Sequence, residues 1–170
     1  MAAHRIRQLG DPVLREVSRP VETAEQARPV LGDLRDTLHD FQRTHGFGRG
    51  ISAVQIGVTL RVIYMEVGDA RYCLLNPEFE WMSAEKFRMW DDCFSFPHLC
   101  VWLERAVSVR LRYLDEDGVP RQLAASGALS ELVQHEMDHL DGVLAVDRAI
   151  GRDGLATREE WLRQKREAQS

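Results

Sequence analysis

A chain of 170 residues with 44% hydrophobic content is long enough to bury a core and about the size of one domain. Its 27 acidic and 22 basic residues give a net charge of -5. The basic residues are scattered among the acids, so no stripe advertises nucleic-acid binding. Charges near the N-terminus interrupt the apolar run that a signal peptide needs, and no later run approaches a membrane span. Cys73, Cys93 and Cys100 are an odd number in a domain that does not need disulfide staples. The expectation is a soluble, cytoplasmic, monomeric protein with free thiols and no contact with membrane or nucleic acid.

Pro29 suits the first position of a helix, and Val30, Leu34, Leu38 and Phe41 recur at helical spacing until Gly46. Gly46-Phe47-Gly48-Arg49-Gly50 is too rich in glycine for either helix or strand. Val62 to Val67 and Tyr72 to Leu75 read as strands, the second ended by Asn76-Pro77. From Trp90 to Pro97, acids and a proline interrupt any regular element. Val107 to Tyr113 alternates apolar and polar residues as a half-buried strand does, and Asp115-Glu116-Asp117-Gly118 turns the chain after it. Ser126 is placed to cap a helix from Gly127 to Leu140, with Gly142 to stop it. Thr157 and Glu160 form a capping-box pair that opens a last helix. The predicted architecture is one α+β domain over residues 1–170. Short, mostly antiparallel strands pack around a central helix, with a further helix towards each end.

The central helix carries His135-Glu136-Met137-Asp138-His139, an HExxH pattern. Two histidines four residues apart lie one above the other on a helix and can reach one divalent metal ion. Glu136 is about a quarter-turn away, better placed to handle a proton of an attacking water than to bind the metal. A tetrahedral catalytic site typically takes three protein ligands, so one is still needed. Cys93 and Glu159 are both candidates. The second lies on the final helix and would give the ligand set of a zinc peptidase.

Three separated segments together resemble the peptide deformylase family. Gly48-Arg49-Gly50-Ile51-Ser52-Ala53-Val54-Gln55 is similar to its GxGLAAxQ motif, Asp91-Asp92-Cys93-Phe94-Ser95 to EGCLS, and His135 to His139 to HExDH. The resemblance runs from about Ile6 to Asp147 and is specific because all three motifs occur in order. It implies that Cys93, His135 and His139 are metal ligands and Glu136 the acid/base. It also implies that the Gln55 amide and the Phe94 backbone N–H donate to the formyl oxygen, and that Gly50 lets the substrate backbone approach. The implied cofactor is one divalent ion, natively Fe(II), with zinc, nickel or cobalt able to serve. The implied substrates are formylated peptide N-termini, including the formylmethionine of nascent chains at the ribosome. Other readings are a deformylase-like paralogue with a different formylated substrate, the zinc peptidase, and a non-catalytic descendant that binds.

Three departures from the family pattern matter. Asp91 stands for glutamate, and Asp92 stands for a glycine that would matter if it supplied a positive φ. Glu131 lies one turn before His135 on the ligand stripe, where the family has an apolar residue lining the pocket for the side chain beside the formyl group. Two orientations of Glu131 are open, into that pocket or out to solvent. Arg105 is expected to pair with a carboxylate such as Asp91 and hold the cysteine loop.

Overall fold

The structure, a computed structural model, describes residues 2–170. Helix α1 (Ala24–His45) is followed by strands β1 (Gly50–Ser52), β2 (Val62–Val67) and β3 (Ala70–Met82). Next come β4 (Lys86–Asp91), β5 (Leu99–Ala106), β6 (Ser108–Leu114) and β7 (Pro120–Ser126), then helix α2 (Ala128–Leu140), β8 (Leu155–Thr157) and helix α3 (Arg158–Ala168). Single 3-10 turns lie at Pro12–Arg15, Ala53–Ile56 and Ala145–Arg148. The α+β class is as the sequence predicts. A five-stranded antiparallel sheet has the order β1-β2-β3-β6-β7, and a three-stranded one the order β4-β5-β8.

The uninterrupted apolar run of β2 follows from both faces of the larger sheet being covered. Val62 and Tyr64 point towards α1, where they meet Leu34, Leu38 and Phe41. Ile63 and Met65 point the other way and pack with Leu132, Val133, Met137 and Leu140 of α2. A third cluster joins the smaller sheet to the 3-10 turns, through Leu14, Val101, Leu103 and Leu144. Helix α2 therefore lies with its apolar side on one sheet, and its histidines turn towards the other.

Four predicted boundaries shift. Helix α1 starts at Ala24 and holds Pro29 inside it, because Thr23 caps it by accepting from the Gln26 N–H at 3.3 Å. The third strand runs through Asn76-Pro77 instead of ending there. Asn76 takes φ +49, the register slips between Leu75 and Glu78, and the Asn76 amide bonds to the Val21 backbone at 2.8 and 3.0 Å. Helix α2 is entered through Gly127 at φ +58 without a side-chain cap; Ser126 closes β7 instead. The glycine-rich segment ends in β1, where Gly50 pairs with Met65.

Candidate active site

Cys93, His135 and His139 each present a ligand atom, and these atoms all lie within 4.8 Å of one another in buried surroundings. Helix α2 supplies both histidines. The turn after β4 supplies the cysteine, whose Sγ is 3.3 Å from His139 Nε2. Two N–H donors face the same sulfur, Ser95 N at 3.4 Å and Gln55 Nε2 at 3.6 Å. Glu159 is exposed on α3 and stands outside this group, so the peptidase ligand set is not assembled.

The charge around the histidines suits a cation. Asp91 Oδ2 binds His135 Nδ1 at 2.8 Å, which fixes the ring and leaves Nε2 for a ligand. Burial pushes His135 towards its neutral form, but Asp91 and Cys93 outweigh it and hold the pKa well above the ordinary histidine range. At His139, burial and then the neighbouring His135 drive the pKa well below that range, leaving a neutral imidazole. Its Nδ1 is buried without a hydrogen-bond partner among the described residues. A cysteine sulfur and two histidine rings, with a carboxylate behind one of them, are a donor set that fits a divalent transition metal with an open fourth position.

Asp91 is held in turn. Arg105, 3% exposed, donates to Asp91 Oδ2 at 3.4 Å and to Asp138 Oδ2 at 2.6 Å, which makes the expected pair and adds a second partner on α2. Burial opposes the Asp91 charge, yet His135 and Arg105 keep its pKa below the usual carboxylate value. Asp92 has no positive φ, so the aspartate introduces no backbone strain there; its Oδ2 accepts from Arg158 at 2.6 Å.

Glu136 is 3% exposed, and its Oε2 accepts from Ser52 Oγ at 2.7 Å. Burial raises its pKa above the ordinary carboxyl value, with His135 and Ser52 opposing. A Cβ at Gly50 would meet Glu136 Oε1 at 3.0 Å and Leu132 at 3.1 Å, so the glycine permits the close approach of β1 to α2. Gln55 is fixed by its amide oxygen, which accepts from Ser52 N at 2.9 Å. Its Nε2 reaches Ser95 Oγ at 3.2 Å on the cysteine side. The Phe94 N–H makes no hydrogen bond among the described residues. The N-terminal segment clasps both loops: Arg7 N donates to Gln55 O at 2.7 Å, Gln8 Nε2 to Phe94 O at 3.1 Å and Leu9 N to Ser95 O at 2.8 Å.

Gln55, Asp91, Cys93, Phe94, His135 and Glu136 border one cavity of about 450 Å³, lined also by Arg49, Leu132 and Glu131. Glu131 faces inward, 4% exposed, so the solvent orientation is excluded. Ser52 and Arg49 are the residues that sequence reasoning missed. Each sits inside a quoted motif, but what it touches lies on α2, more than 80 residues away.

A cysteine and two helix-borne histidines with a buried acid alongside are the parts of a metal-dependent hydrolase. The Polypeptide deformylase family model matches residues 3–154. A peptide deformylase of Chromohalobacter salexigens is 40% identical, with 86% of each chain covered. Peptide deformylase 2 of Clostridium perfringens is 36% identical over 88% of this chain and 94% of its own. The crystal structure of peptide deformylase from Thermotoga maritima superposes with a TM-score of 0.82 at 32% identity, covering 89% of this chain and all (100%) of that one. The chain belongs to the polypeptide deformylase family, a family of metal-dependent enzymes.

Proposed function

We propose that this protein removes the formyl group from the N-terminal formylmethionine of new polypeptides, with Cys93, His135 and His139 holding one divalent metal ion. The observation that carries the reading is the meeting of those three ligand atoms, with Cys93, His135, Glu136 and Gln55 lining one cavity. Fe(II) is the proposed native ion, and zinc, nickel or cobalt suit the same donors. When bound, the ion supplies Lewis acidity, acidifying water and polarising the formyl carbonyl.

Glu136 takes a proton from the water that attacks the formyl carbon and gives it to the amine as the C–N bond breaks. Formate and a free amino terminus leave. The Gln55 amide and the Phe94 N–H donate to the carbonyl oxygen as negative charge grows on it. Ser52 holds Glu136 and Gln55 together, one through its hydroxyl and the other through its backbone N–H. A formyl carbon carries only hydrogen on its free side, so a confined cavity admits it and rejects an internal peptide bond. Substrates are then met as nascent chains emerge from the ribosome. The described residues include no helix long and apolar enough to cross a membrane.

Metal analysis on anaerobically prepared protein, paired with an assay on a formylmethionyl peptide, tests this reading. Cys93→Ala should lose both the metal and the activity, while Glu159→Ala keeps both. Retained metal in the first and loss in the second would replace the proposal with the peptidase ligand set.

A further inference from the structure

Arg158 opens α3, just beyond the residues that the family model covers. Its main chain is fixed: Arg158 N donates to His98 O at 2.7 Å, and Thr157 before it pairs with Leu99 of β5. From that base the guanidinium reaches into the rim of the active site. Nε donates to Pro97 O at 2.7 Å, Nη2 donates to Asp92 Oδ2 at 2.6 Å, and Cζ lies 4.3 Å from the centre of the Phe47 ring. The Arg158 side chain is 22% exposed, so water screens these contacts only in part.

Phe47 and Asp92 line the same cavity from two separate segments. Asp92 belongs to the turn that carries Cys93, and Phe47 to the glycine-rich segment that leads into β1. Both stand towards its mouth, for the Asp92 side chain is 41% exposed and Phe47 half-buried, whereas Cys93 and Glu136 are each 3% exposed. Gly46 and Gly48, at φ +77 and +130, flank Phe47 and give its backbone little restraint of its own. Arg158 supplies the restraint by bonding to one wall and stacking on the other. A guanidinium suits both tasks, since it is a planar fork for carboxylates and a flat cation for an aromatic face.

A peptide whose formyl group lies among the buried residues has to leave the cavity past this mouth. Walls that are loose in the free protein must be ordered at the expense of binding, and walls already joined carry no such cost. We infer that Arg158 is a positioning residue, which holds the Asp92 and Phe47 walls at the spacing in which the peptide chain beyond the first residue binds. It acts through those two side chains, from behind the residues that line the cavity. Asp92 is itself a departure from the family motif, so the latch uses a carboxylate particular to this chain. The inference rests on the cavity being the deformylation site.

The test measures kcat and KM of metal-loaded enzyme on a formylmethionyl tripeptide, which reaches the mouth, and on formylmethionine amide, which does not. In Arg158→Ala, KM for the tripeptide should rise about tenfold with kcat within about twofold, and both constants for the amide should hold. Arg158→Lys keeps the charge and loses the planar fork, so it should show a smaller rise, again with the tripeptide alone; it also carries the test if the alanine variant fails to fold. Asp92→Asn should raise the tripeptide KM as well, and combining it with Arg158→Ala should add nothing further. Equal effects on both substrates, a fall in kcat at unchanged KM, no change with either, or additive effects in the double variant would overturn the inference and leave the deformylase reading standing. Hydrolysis of neither substrate by the unaltered, metal-replete protein would overturn the deformylase reading itself.

Discussion

Glu136 adjoins a proposed metal ligand without being one, and it is anchored by a single hydroxyl, that of Ser52, at 2.7 Å. Glu136→Gln keeps the size of the side chain and removes its basicity. Turnover should fall at least about 100-fold while metal content per chain stays unchanged, as metal analysis beside steady-state kinetics would record. Near-normal turnover would show that the proton moves by another group. At this scale the sequence was readable where one element carries the geometry, as in the four-residue spacing of His135 and His139. It was unreadable where two elements must meet. Nothing in Gly50-Ile51-Ser52 announces that Ser52 reaches Glu136, and nothing in Arg49 announces its pairing with Glu131, because both contacts depend on β1 lying across α2.

Helix α1 was legible from periodicity and α2 and α3 from their end signals; Thr157 caps α3 by accepting from Glu160 N at 3.2 Å, while the Glu160 carboxylate turns to Arg163 and Gln164 instead of completing the capping box. Strands β4, β5 and β7 escaped notice, as did the three-residue strands β1 and β8. Charged and aromatic residues on the exposed faces of β4 and β5 blur any clean alternation, and their pairing is set by the partner strand. Two 3-10 turns far apart in sequence are tied by the Arg15–Asp147 pair, whose second bond, Arg15 Nη2 to Asp147 Oδ1, measures 3.0 Å. The Asp147 carboxylate also accepts from Leu144 N at 2.9 Å. The hydrogen bond from Arg15 lowers the Asp147 pKa below its model-compound value of 3.8 despite partial burial. Its contribution to stability is therefore present above that value and is lost as pH falls through the lower, folded-state pKa. The pair is more than a third exposed, so Asp147→Asn should cost about 0.5–1 kcal/mol in urea unfolding at neutral pH. That difference should shrink below about pH 4. A penalty of the same size at every pH would rule out the ion pair as its source.

Across the whole molecule, the two sheets and α2 meet through charge as well as through apolar packing. Arg105 leaves the smaller sheet, lies buried, and ends on Asp91 beside the ligands and on Asp138 of α2. Replacing it by leucine strands Asp91 without its cation in the interior, a loss of about 3 kcal/mol. For a domain of this size, that corresponds to a fall in Tm of roughly 6–12 °C by calorimetry. A change under about 1 °C would mean that His135 alone sustains the Asp91 charge. The N-terminal clasp has a different kind of consequence. Gln55 and Phe94 lie in separate segments, yet residues 7 to 9 hold both, Gln55 through Arg7 N and the turn after β4 through Gln8 Nε2 on Phe94 O and Leu9 N on Ser95 O. The two groups proposed to receive the carbonyl oxygen are thus referenced to a common fixed rail rather than to each other. A displacement of that rail would detune both donors in step and carry Cys93 with them, while His135 and His139 keep their places on α2.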